Sequence, residues 1–599
     1  MKKLFALTAL LIFSLNAEII QLNEGKFTGY RLISNSIDNL GLEFGLNELS
    51  FVDIVTEKGE FTELRFENSK NTNLIGSPKL PIFRELIEFP VSSIPQINVI
   101  SFKETEIFLD DLGIINKIIP AQPSYSKSTP SNEINFVINP ESYSNDDYSK
   151  MENIAAITKS GTMRGVDIGV LEIRPVSYNP VKNSLKILTD IELNVSFSNL
   201  KADTERIRAE NYSPYFENQF SKFMNHRTVD SKVDLTRYPI TYLIIANEVL
   251  NGNTKLQEFI DWKTQKGFKV ITQYFASTAT TTGIDTWVEN QYQNLSPKPT
   301  FLLIVGDQSG TYIIPTEQNP PLGSTGNVSV SDLLYSVIGT TASDNRIPSI
   351  YVGRFSVNNL TDLDAQIDKT IWYEKTQFTS EADLTYLSEV MGVAGVDGSY
   401  AATHGNPQIR YGMSYYFNDS YRIPLDGSGV HITGIPYYYP ASAGSTVDAE
   451  VVSEVSNGVA FYNYTAHGSN GGFSDPTFSI SNVDNLTNTG KYPLIVGNCC
   501  LTGSFRDTEC FGEAWLNAPN KGAIGFIGAS MSTYWDEDLA MGIGEVVIGD
   551  ITPPYTPDDQ GMYDGLMRMD YPTQGGIRFA GLLAVEDENT TYTSSYWSA

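Results

Sequence analysis

Gly458–Phe505 reads G-V-A-F-Y-N-Y-T-A-H-G-S-N-G-G-F, then a polar spacer, then K-Y-P-L-I-V-G-N-C-C-L-T-G-S-F. Two apolar runs stand out in it, Val459–Tyr464 and Leu494–Val496. Both are rich in β-forming side chains and run into glycine, which predicts two short buried strands. His467 follows the first run and Cys500 the second. Open α/β sheets carry their ligand crevice beyond the carboxyl ends of parallel strands. Neighbouring strands would thus bring an imidazole and a thiol together across 33 positions of sequence. Thiol catalysis requires a thiol, a base within reach, and backbone N–H groups for an oxyanion. Gly468 and the turn after Cys500 are candidates for the last of these. The competing reading is a core cysteine acting as a small hydrophobe and a structural histidine. Against it, the chain has only four histidines and three cysteines, and one of each closes a strand-like run here.

Outward from this stretch the pattern alternates. Ile240–Ala246, Lys269–Phe275, Phe301–Val305 and Ile350–Val352 read as strands, with helices at Thr254–Gln265, Gly283–Gln293 and Leu360–Tyr373 between or after them. A second round has strand Leu387–Val396, helix Gln408–Phe417, strand Val430–Tyr438, then the two runs above, helix Glu509–Leu516 and strand Ala523–Gly528. Such alternation predicts an α/β fold with mostly parallel sheets. Glu18–Lys232 differs: short alternating runs predict an all-β unit, interrupted by a Pro-, Ser- and Asn-rich loop over Ile119–Lys150. Asn211–Asp234 is polar and reads as the boundary, with Arg227, Lys232 and Arg237 as cleavage points.

The 599 residues imply several domains, and the net charge of −29 argues against nucleic acid and anionic membrane surfaces as partners. Met1–Ala17 has the basic start, apolar stretch and small-residue exit of a secretory signal peptide. That predicts a secreted or cell-surface protein, and no later segment reads as transmembrane. Three cysteines make no disulfide framework, and so sparse a set in an exported protein favours a reactive thiol. Cys510 is expected in the core. Neither spacing nor cysteine usage suggests zinc, and a thiol mechanism requires no cofactor. Asp536, Glu537 and Asp538 form an acidic triplet, read either as an exposed turn or as carboxylate ligands for a structural calcium ion.

Y-N-Y-T-A-H-G-S (462–469) and I-V-G-N-C-C-L-T-G-S-F (495–505) resemble the gingipain family of cysteine peptidases, which is caspase-like in fold. The resemblance runs from about 233 to 599 through F-I-D-W-K-T-Q-K-G-F-K-V, F-L-L-I-V-G-D, Y-V-G-R-F-S and Q-I-D-K-T-I-W-Y-E, in the family's order. It implies two caspase-like halves, 233–378 without and 379–599 with the chemistry. Cys500, ahead of Leu-Thr-Gly503-Ser-Phe505, is then the nucleophile in preference to Cys499, and His467 is the base. The amides of Gly468 and Cys500 are the oxyanion donors. Asp397 stands where the family has a glutamate near the histidine; one methylene shorter, it leaves direct contact with His467 open. R-P-V-S-Y-N-P (174–180) resembles the family's propeptide, which implies that 18–232 is an inhibitory β-sandwich and the enzyme's own partner beside its peptide substrates.

The S1 pocket departs from the family. Gln408 falls, by count, where arginine-specific members carry an aspartate, and Trp535 matches the family's pocket wall. This predicts a neutral pocket without an Arg or Lys preference, unless Asp536–Asp538 supplies the charge. His404 has no family counterpart. Since the family usually continues through further domains, the chain is expected to be incomplete at its C-terminus. The resulting expectation is a secreted cysteine endopeptidase made as a zymogen. A sortase-like transpeptidase and a non-enzymatic surface protein with a degenerate site remain open as alternatives.

Overall fold

A computed structural model describes residues 18–22, 27–149, 153–228, 239–318, 330–339, 346–375, 384–418, 420, 422–423, 430–506, 509–546, 552–555, 560–570, 572–588 and 590–597. The expected signal peptide, Met1–Ala17, lies outside these residues, as do Lys232 and Arg237.

The N-terminal unit is built from three sheets whose strands pair almost wholly antiparallel. One of its two longest strands, Ser184–Ser198, alternates buried and partly exposed side chains along its second half, as a sheet with one wet face requires. Phe44, Phe83, Ile187 and Leu193 are among the side chains that close its core. Most of Ile119–Lys150 is irregular, as expected, broken by a short helix at Pro140–Ser144.

Part of the expected polar boundary is instead ordered helix. Thr204–Glu210 and Pro214–Phe220 are helical. The second starts with proline at its first position, where no N–H is needed. It buries Phe216 and Phe220, two of the aromatics that recur from Tyr212 to Phe223. Phe216 stacks on Tyr351 of the next unit, ring centroids 4.2 Å apart and 9° from parallel. Arg164 reaches the same seam, donating to the carbonyls of Asn211 (2.6 Å), Pro299 (2.5 Å) and Ser349 (3.2 Å). The N-terminal unit is thus clamped to the rest of the chain by burial as well as by covalent connection.

The remaining chain forms two parallel sheets. The first has the spatial order Lys269–Phe275, Thr241–Asn247, Pro299–Val305, Tyr351–Phe355. The second runs Thr433–Tyr437, Glu389–Ala394, Phe461–Thr465, Leu494–Asn498, Gly525–Gly528. Phe461–Thr465 and Leu494–Asn498 are wholly buried neighbours in register, with Thr465 opposite Asn498. Both therefore end at one level, and the residues that follow them emerge at one sheet edge. Expected strand Val430–Tyr438 is split into Val430–His431 and Thr433–Tyr437. Gln408 does not start its helix; it lies inside Asn406–Tyr415. No helix among the described residues is long and apolar enough to cross a membrane.

Removing the Phe216 ring by Phe216→Ala is expected to weaken the clamp by about 3–5 kcal/mol, the usual loss for a buried aromatic. Thermal unfolding should then show the N-terminal unit melting before the parallel sheets. A single unchanged transition would show that the seam does not depend on this ring.

Candidate active site

The turn after Phe461–Thr465 and the turn after Leu494–Asn498 touch because one of them begins with glycine. A Cβ on Gly468 would stand 2.6 Å from Cys499 Sγ and 3.0 Å from the Cys500 carbonyl. Gly503 has the same role on the other side, where a Cβ would meet the Gly528 carbonyl at 2.4 Å. Leu501 adopts a left-handed backbone (φ 62°) between them, and its N–H donates to the Met531 carbonyl. The Cys-x-x-Gly spacing is thereby explained as a turn folded tightly onto the neighbouring strand end.

The two adjacent thiols have different surroundings. Cys499 is fully buried in the core behind the sheet, with Thr502 Oγ1 at 3.7 Å. Burial pushes its pKa far up, so it stays a thiol. Cys500 lies on the other side of the chain. Its Sγ accepts from the Thr533 N–H at 3.3 Å and meets Ser128 Oγ, from the N-terminal unit, also at 3.3 Å.

His467 Nε2 lies 2.9 Å from Asp397 Oδ2. The question of whether an aspartate reaches the imidazole is therefore answered by direct contact. Asp397 Oδ1 accepts from the N–H groups of Ser399 (2.8 Å) and Tyr400 (2.6 Å). Burial would raise this carboxyl; the His467 hydrogen bond and the two amides outweigh it and hold the pKa below the ordinary carboxylate range. An ionised Asp397 fixes the proton on Nε2, leaving Nδ1 as the ring nitrogen that it does not engage. The ring meets Trp535 edge-on, centroids 5.8 Å apart.

Beside this pair lies a lined pocket, filled by a residue that sequence reading missed. Lys127 leaves the loop of the N-terminal unit and buries its whole side chain there. Its Nζ is ion-paired with Asp538 Oδ2 at 2.7 Å and donates to the Asn498 carbonyl (2.7 Å) and Thr465 Oγ1 (3.1 Å). It also lies 4.5 Å from the centroid of the Trp535 ring. The main chain is held in step: Lys127 N–H donates to the Thr533 carbonyl at 2.8 Å, and Trp535 N–H to the Tyr125 carbonyl at 3.2 Å. Ser126 and Tyr534 form an antiparallel bridge between these two bonds. One signal was available in sequence: Lys127 is the single basic side chain between Ile119 and Ser149.

One expectation about this pocket is corrected. Gln408 is buried beneath it, and its Nε2 donates to Oδ1 of both Asn463 and Asn498 at 3.0 Å. A buried amide must spend its donors on partners, and these lie in the floor rather than in the pocket. The carboxylate that meets Lys127 in the pocket is Asp538, which belongs to the acidic triplet kept open as a source of charge. The three carboxylates of the acidic triplet have separate partners. Asp536 pairs with His404 at 2.9 Å, Glu537 accepts from Ser124 Oγ (2.6 Å) and the Tyr592 N–H (2.9 Å), and Asp538 holds Lys127. The helix Trp535–Ile543 begins here, and its curvature sends the three carboxylates apart. No group of three or more His, Cys, Asp or Glu able to hold a metal ion occurs among the described residues.

Comparisons with known proteins point to one family. A family model described as peptidase family C25 matches residues 235–594, and one described as Propeptide_C25 matches 31–226. Lys-gingipain of Porphyromonas gingivalis is 32% identical over 581 residues, covering 94% of this chain and 32% of its own. The chain thus spans about a third of the length of that relative. A solved structure described as a protease aligns with TM-score 0.53 at 30% identity, over 61% of this chain and 77% of its own.

Alkylation with a small thiol reagent should separate the three cysteines. Cys500 is expected to react slowly in the intact chain and at least tenfold faster in Lys127→Ala, which loosens the covering loop, while Cys499 and Cys510 stay unlabelled. Peptide mapping by mass spectrometry reads this directly, and preferential labelling of Cys499 would move the reactive position by one residue.

Proposed function

The chain belongs to peptidase family C25, and from that premise we propose that it is a cysteine endopeptidase, held latent by its own N-terminal unit and selective for lysine. One observation carries the reading: a lysine of the chain itself occupies a pocket beside the thiol, with its own Ser128 against Cys500 Sγ. The loop runs antiparallel to Thr533–Trp535, as an extended substrate does when it adds to a strand edge. In this reading Lys127 stands for the residue before the scissile bond and Ser128 for the residue after it.

The chemistry follows from the groups present. His467, polarised by Asp397, takes the proton of Cys500, and the thiolate attacks the carbonyl carbon after lysine. The amides of Gly468 and Cys500 receive the developing oxyanion. Collapse of the intermediate expels the amine, which takes its proton from His467 and leaves an acyl-enzyme. Water, deprotonated by His467, then releases the carboxylate product. Lysine fits better than arginine because Asp538, Asn498 and Thr465 offer acceptors around a point, matching the three N–H groups of an ammonium rather than a planar fork. The name of the relative, Lys-gingipain, points the same way. Export through the Met1–Ala17 segment is part of the proposal, since a latent peptidase is suited to release outside the cell.

Fluorogenic peptides that vary only the residue before the bond test the assignment. Cys500→Ala should abolish hydrolysis. Asp538→Asn should lower the preference for lysine over an uncharged residue of similar length by a hundredfold or more, since a buried substrate cation then lacks its counter-charge. Equal turnover of lysyl and neutral substrates by the wild type would sink the lysine assignment. Incubation of the intact chain should also yield slow cleavage after Lys127, absent in Cys500→Ala.

A further inference from the structure

Asp538 is held from behind by a residue far along the chain. The Tyr596 hydroxyl lies 3.2 Å from Asp538 Oδ1, on the oxygen that does not face Lys127, and 3.1 Å from the Tyr534 carbonyl. It accepts from the Tyr534 N–H at 2.7 Å. One hydroxyl thus ties the pocket's charge to the backbone strip, Thr533–Trp535, that pairs with the substrate-like loop. The surrounding segment strengthens this hold. The Tyr592 ring stacks on Tyr534 with centroids 3.7 Å apart, and its N–H donates to Glu537 Oε1. Trp597 anchors the far side by donating from Nε1 to Glu586 Oε2 at 3.1 Å.

Resting on the proposed lysine selectivity, we propose that Tyr596 is a positioning residue for it, orienting the Asp538 carboxylate through its hydroxyl, so that segment 590–597 is a working part of the specificity pocket. A carboxylate that pairs with a cation through one oxygen is free to rotate unless the other oxygen is held. Tyr596 supplies that second hold. Burial, followed by the nearby Asp538 and Glu537 charges, raises its phenol well above the ordinary value, so it stays a donor across the working range of pH. The site was not visible in the motif because Tyr596 stands 58 positions after Asp538.

The test uses the matured enzyme and paired substrates with lysine or norleucine before the scissile bond. Tyr596→Phe removes one oxygen and keeps the ring in the core. The ratio of kcat/KM for lysine over norleucine is expected to fall about tenfold, with most of the lysine loss in KM. In an Asp538→Asn background the same substitution should leave the ratio unchanged, which a merely structural role would not produce. Tyr592→Leu, which removes the stacked ring only, should lower the ratio in smaller measure and gives a second probe if Tyr596→Phe folds poorly. A wild type with no lysine preference overturns both this inference and the proposed function. A wild-type preference that survives Tyr596→Phe and Tyr592→Leu within twofold overturns this inference alone.

Discussion

The ammonium of Lys127 is the constraint on which the arrangement of the two parts of the chain depends. A cation removed wholly from water is tolerable only if a counter-charge and hydrogen-bond acceptors replace the lost hydration. Asp538, Asn498 and Thr465 provide these, and they come from three separate elements of the second parallel sheet and the helix beyond it. The side chain therefore fixes the loop that bears it to within bonding distance of all three at once. Ser128, its successor, is carried onto Cys500 as a geometric consequence.

Beneath the cation, the polar groups form a chain that is buried and mutually satisfied. Gln408 donates to Asn463 and Asn498, Asn463 donates to Asn498 and to the Val496 carbonyl, and Tyr563 donates to Asn463. Such a network in a low-dielectric floor has few alternative arrangements. It holds the Asn498 carbonyl, at the end of a fully buried strand, pointing at the place where the ammonium sits. The glycines do the complementary work on the chemical side, letting the histidine turn and the cysteine turn approach closely enough to share an edge.

The alternation of strands and helices and the edge position of His467 and Cys500 were legible because both follow from local pattern. Strand runs with fully apolar or aromatic side chains read as buried strands, and parallel pairing then placed the two ends side by side. Asp397 was legible as the end of a strand in the same sheet, although its contact with His467 was not. The pocket's charge was read less well. Counting along the chain led to Gln408, which lies in the floor, because linear spacing carries no information about which helix face meets a cavity. Asp538 was available as an alternative but only as one of three adjacent carboxylates, and helix curvature alone separates their roles. Lys127 carried only the signal of a lone basic residue in its loop and Tyr596 carried none, since each reaches the pocket across hundreds or tens of positions of intervening fold. Phe216 and Phe220 carried a signal, two of the aromatics that recur from Tyr212 to Phe223, that the linker reading overrode.

The seam at Phe216 and Tyr351 and the Lys127 pocket are two of the grips that the N-terminal unit has on the rest of the chain; the Lys70–Glu588 ion pair, 2.7 Å, is another. While the polypeptide is continuous, each grip raises the local concentration of the others, and a loop that opens is returned to its pocket by the tether. A cut between residues 228 and 239 breaks no contact at these grips. It changes only the statistics of return: a released unit diffuses away instead of being delivered back. For the proposed latent peptidase, activation would then be a matter of dilution as much as of cleavage, with a nicked molecule silent where it is crowded and active once it disperses.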